Sequence, residues 1–71
     1  MNRLEAMIAD QESVIEQSAT LAAEYEADAA NADEDTRIRL IAIVKALRQD
    51  EAIARSEVER LKQMRTAHAV S

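Results

Sequence analysis

The 71-residue chain contains no Gly, no Pro and no Cys. Those residues supply most of the positive-φ turns, helix breaks and covalent staples open to a polypeptide, so their absence leaves the chain free to be helical nearly end to end. Ala, Glu, Leu, Ile, Arg and Gln fill the positions instead, and Tyr25 is the only aromatic side chain. These are helix formers. The fold class this implies is all-α, either one long helix or a hairpin of two.

A chain this short has difficulty burying enough apolar surface to offset the entropy of ordering its backbone. Disulfides, a structural metal or self-association are the usual remedies, and with no Cys and a single His, His68, only self-association is left. A homodimer is therefore expected, with no cofactor and no metal. No apolar run approaches the about 20 residues of a membrane span. An acid also stands at Glu5, where a signal sequence would begin its apolar stretch. The expected compartment is cytoplasmic.

The net charge of −5 hides an uneven layout. Residues 1–35 carry ten acids against Arg3 alone, giving −9, whereas residues 36–71 carry eight bases against four acids, giving +4. This favours folding the acidic half back on the basic half.

The apolar positions decide between one helix and two. In the first half Leu4, Met7, Ile8, Val14, Ile15, Leu21, Ala22, Tyr25 and Ala29 share one face, with Gln11 and Ser18 as its polar members. In the second half the seam runs through Leu40, Ile43, Val44, Leu47, Ala54, Val58, Leu61 and Met64, with Glu51 as its polar member. The two heptad phases do not join, and the slip falls within Ala29 to Thr36, where apolar bulk disappears. The reading is an antiparallel, coiled-coil-like hairpin: helix one over about 3–29, a turn over about 30–34, helix two over about 34–68, and a frayed tail at 69–71. Asn31 with Glu34 three residues on is a variant capping box, with Asp33 or Asp35 as alternative caps. A turn centred near residue 31 sets Gln11 opposite Glu51 and Ser18 opposite Val44, giving a polar layer at Gln11 and Glu51 that can fix register.

Helix two also carries Ile38, Ile41, Ala42, Ala46, Ala52 and Ile53 away from Leu47. Either a second hairpin covers these, making a four-helix bundle, or a different protein docks there, and Ile38, Ile41 and Ile53 are the candidate residues. Six acids cluster around the turn, Glu24, Glu26, Asp28, Asp33, Glu34 and Asp35, beside Tyr25. They either solvate the tip or contact a basic groove on a regulatory protein.

No catalytic set emerges. His68 has no Cys and no carboxylate three or four residues away, the serines lack a neighbouring base, and nothing Gly-rich is present to cradle phosphate. Arg48, Arg55 and Lys62 recur every seven residues beside Lys45 and could track a phosphate backbone. Glu57 and Glu59 interrupt that ridge, the overall charge is repulsive and no aromatic platform exists, so nucleic acid ranks third. The functional expectation is a non-enzymatic protein-binding module that inhibits or modulates a regulator; by association of size and charge alone, a phage- or plasmid-encoded inhibitor fits. A self-associating assembly protein is the competing reading.

Overall fold

The computed structural model describes residues 2–70, with side chains for residues 2–67. It is an antiparallel pair of helices, α1 over Arg3–Ala30 and α2 over Glu34–Val70. Helix α2 continues to Val70, and Ser71, the end of the expected frayed tail, lies outside the described residues. Among the described residues no helix is long and apolar enough to cross a membrane.

Both helices begin on an Asx cap. The Asn2 side chain accepts from the Glu5 N–H at 2.8 Å, and the Asp33 carboxylate accepts from the Thr36 N–H at 2.8 Å. Each bond satisfies one of the amides a helix leaves unpaired at its start. Of the alternative caps for α2, Asp33 is the one used, and Asn31 is left to end α1. It closes α1 as its C-cap, at φ −110°, and its N–H donates to the carbonyls of Asp28 and Ala29. No residue among those described has a positive φ, so the connection turns without the left-handed residue that commonly ends a helix.

The assignment of caps moves the register. The Arg37 Nε donates to the Ala29 carbonyl at 3.2 Å, and Ile8 clusters with Val58 and Leu61. Ala29 with Arg37, and Ile8 with Val58, each total 66, so the hairpin closes around a centre near Asp33, two residues beyond Asn31. Gln11 therefore comes level with Arg55 and Ala22 with Val44. In this register Glu51 is level with Ile15 and Val44 with Ala22, and not with Gln11 and Ser18, because α2 starts from Asp33 and not from Asn31.

The seam follows two positions per heptad. On α1 these are Ile8, Ile15, Ala22 and Ala29 (a) with Leu4, Gln11, Ser18 and Tyr25 (d). On α2 they are Arg37, Val44, Glu51 and Val58 (a) with Leu40, Leu47, Ala54 and Leu61 (d). All but Arg37 are buried or half-buried. The interior is thin: among the described residues Leu61 is the largest side chain fully withdrawn from water, and three of the six buried apolar residues are Ala22, Ala29 and Ala54. A cluster of large side chains, Ile8, Val58 and Leu61 with Leu4 and Ile15 against it, sits at the end away from the turn. The hairpin is thus held by apolar packing at its open end and by caps at its tip. Its dimensions are 56 × 17 × 12 Å and its radius of gyration is 16.3 Å, against about 11 Å for a compact chain of this length.

The Asp33 cap makes a pH prediction. The hydrogen bond from the Thr36 N–H, with a smaller share from the Thr36 side chain, holds the Asp33 carboxyl below its ordinary value. A depressed carboxyl stabilises the fold above its unfolded pKa, and that contribution disappears as the pH falls through the folded value. Asn at this position keeps the acceptor and binds no proton. Asp33→Asn is therefore expected to melt slightly below wild type at neutral pH and to close the gap by about pH 2, read by urea titrations of helicity across that range.

Candidate functional site

The rod offers two long faces flanking the seam, the outer backs of the helices, and the tip. One long face is ionic. It carries Glu5, Glu12 and Glu26 from α1 and Arg48, Arg55 and Lys62 from α2, all at heptad position e. Arg48 Nη2 meets Glu26 Oε1 at 2.7 Å across the seam, which fixes the two e rows on the same side. Glu12, Arg55 and Lys62 line one groove further along.

Glu51 joins this network from the seam itself. Its side chain is only 13% exposed, and its carboxylate accepts from Arg48 at 3.0 Å and from Arg55 at 2.9 Å, both on its own helix. Those hydrogen bonds, Arg55's first and Arg48's second, hold its carboxyl below the usual range. Glu26 is the main cause of the upward shift of the Arg48 guanidinium. Two of the three bases in the Arg48, Arg55 and Lys62 ridge are thus already committed to carboxylates.

The opposite long face is apolar along most of α1 and mixed along α2, where Asp50 and Glu57 share its position with Ile43 and Met64. Met7, Val14 and Leu21 of α1 and Ile43 and Met64 of α2 occupy position g and remain between 40% and 51% exposed. This corrects the assignment of Ile43 and Met64 to the seam, and leaves Met7, Val14 and Leu21 on the wider apolar face but outside the seam. A two-helix interface covers only the a and d stripe, and the third apolar residue in each heptad can be buried only by a further helix.

The three isoleucines proposed as a partner face do not form one compact patch. Ile38 and Ile53 are each 61% exposed on the outer side of α2, about 22 Å apart along the axis. Ile41 turns toward the ionic face, where it lines a shallow groove with Glu26, Ala29, Ala30, Arg37 and Val44.

At the tip, Glu24, Asp28, Glu34 and Asp35 are exposed, and among the described residues none makes an ion pair. Two other acids are engaged, Asp33 in its cap and Glu26 with Arg48. Tyr25 is half-buried at a d position between Ala22 and Ala29. No family model, curated protein or solved structure matches the chain.

Among the described residues no group of three or more His, Cys, Asp and Glu side chains is placed to hold a metal ion. The His68 side chain lies outside the described residues.

Sequence reasoning missed two residues that shape the site. Asn2 with Glu5 three residues on carries the same capping signal that was read at Asn31. Arg37 stands in the first turn of α2, where the helix dipole disfavours a base. A base there has to serve something outside its own helix, and it serves the end of α1.

Proposed function

We propose that the chain is a small non-enzymatic protein-binding module, a dimeric four-helix bundle that modulates or inhibits a regulatory protein presenting a basic surface. The observation that carries this reading is the tip, where Glu24, Asp28, Glu34 and Asp35 stand exposed and unpaired at the narrow end of a rod. Clustered carboxylates of this kind speed encounter with a basic patch and repel nucleic acid from it. The competing reading, an assembly protein that binds only itself, draws on the apolar g face. Direct nucleic-acid binding is the weakest, because Arg48 and Arg55 are paired with Glu26 and Glu51.

The test compares immobilised wild type with the triple variant Asp28→Lys, Glu34→Lys, Asp35→Lys, each verified helical. Wild type is expected to retain a discrete partner that salt releases and the reversed tip does not bind. Retention of the same partner by both would overturn the role of the tip, and retention of nothing but the chain itself would favour the assembly reading.

A further inference from the structure

On the dimeric reading above, on which the following rests, the geometry points to one arrangement: two hairpins packed antiparallel through their apolar g faces, α1 against α1, with the two-fold axis passing beside Val14. The choice of face comes first. The ionic face pairs its own charges across the seam, as Glu26 does with Arg48. The g face has no such internal use for Met7, Val14 and Leu21, which are 44%, 40% and 41% exposed.

The amount of uncovered surface fits a second copy. The chain exposes 5382 Å², whereas a compact monomer of this mass exposes about 4,400 Å². The surplus, about 1,000 Å², is close to the about 800 Å² that each partner contributes to a standard interface.

The choice of helix follows from the sequence of each g row. On α1 the row Met7, Val14, Leu21 is apolar over three successive heptads. On α2 Asp50 and Glu57 stand between Ile43 and Met64, so that half of the face cannot pack dry. Contact is centred on α1, and symmetry then sets direction. When two such faces meet, a two-fold axis along the rod places α1 over α2 of the copy, while an axis across the rod places α1 over α1 and makes the hairpins antiparallel. Charge agrees independently. The tip is acidic, and the open end carries Arg3 and Arg65 beside Glu5, Glu59 and an Arg60 already paired with Glu57 at 2.6 Å. Parallel packing stacks acid on acid; antiparallel packing sets each tip beside the other copy's bases. Val14 then meets Val14 of the copy, and Met7 meets its Leu21. Because the tip's carboxylates lie beside those bases, a basic client competes with dimerisation.

The Cys-free chain makes single-cysteine probes unambiguous. Wild type is expected to sediment as a dimer. Under mild glutathione oxidation Val14→Cys is expected to cross-link with itself, Met7→Cys and Leu21→Cys to cross-link only when mixed, and Gln49→Cys, on the outer back of α2, to stay uncoupled. Met7→Cys and Leu21→Cys each coupling to itself would overturn the antiparallel arrangement, and fastest coupling at Gln49→Cys would overturn the face. A wild-type chain that stays monomeric up to hundreds of micromolar overturns the dimeric reading itself, a result distinct from either. As a check without disulfides, Val14→Asp is expected to raise the dimer dissociation constant at least about tenfold, about 1.4 kcal/mol, while helicity persists at high concentration.

Discussion

Leu61→Ala is expected to lower the midpoint of thermal unfolding by about 10–25 °C. Leu61 is 2% exposed and is the largest side chain fully removed from water, and the cluster it forms with Ile8 and Val58 is the only group of large buried side chains among the described residues. Truncating a buried Leu costs about 2–5 kcal/mol, depending on how far the surroundings collapse into the space left. The lower half of that range applies here, because the cluster lies at an open end where Leu4 and Ile15 can shift inward. In a domain of this size each kcal/mol moves the midpoint by about 4–8 °C. Leu21→Ala serves as the comparison: the same truncation on the g face, where Leu21 is 41% exposed, removes far less buried surface within one hairpin. Melts followed by circular dichroism at two protein concentrations separate the cases, since dimer-linked stability rises with concentration and hairpin stability does not. Equal losses for Leu61→Ala and Leu21→Ala would mean that the open-end cluster is not what holds the helices together.

The a and d positions were legible in the sequence because burial in a helix pair repeats with a period that residue hydrophobicity displays directly. Leu4, Ile8, Ile15, Val58 and Leu61 fall where that period places them. Met7, Val14 and Leu21 obey the same period one position earlier, and a stripe three-sevenths wide states only that a and d are insufficient. It cannot say how many helices cover it, so the seam was drawn too wide. The register failed for a different reason. Asn31 and Asp33 are two residues apart, both suit a cap, and Asn31 also suits the end of a helix; local chemistry is degenerate between them. The interaction that separates them, Arg37 reaching back to Ala29, is tertiary and leaves no periodic trace. Charge carried part of that information. Opposite halves anticipated acid facing base, and Glu26 with Arg48 is such a pair. Seam position alone sets Glu51 in a layer with Gln11, whereas its own helix supplies Arg48 and Arg55 at the spacings where side chains meet.

Arg37→Ala is expected to lower the unfolding midpoint by about 4–8 °C, although Arg37 is exposed. Helix α1 ends in poor electrostatic company: its last turn holds no base, and Glu24, Glu26 and Asp28 lie near the end where the dipole is already negative. Arg37 supplies the missing cation from across the turn. Its Nε donates to the Ala29 carbonyl at 3.2 Å and its Nη2 to the Ala32 carbonyl at 3.1 Å, so one planar group holds a carbonyl of the last turn of α1 and one of the connection in fixed relation to the start of α2. Hydrogen bonds to charged groups contribute about 1.5–3 kcal/mol when shielded, and the partial exposure of this pair reduces the sum to about 1 kcal/mol. Arg37→Lys keeps the charge but not the planar fork, and should recover only part of the loss. Arg37→Glu sets two effects of opposite sign against each other. An acid in the first turn of α2 is favoured by that helix's dipole, while the same acid beside the carbonyls of α1 is repelled. Further loss in Arg37→Glu, relative to Arg37→Ala, shows that the cross-turn contact governs the tip. A gain would show that the capping of α2 alone makes the turn, and that a chain without Gly or Pro can reverse direction on Asp33 with no help from α1.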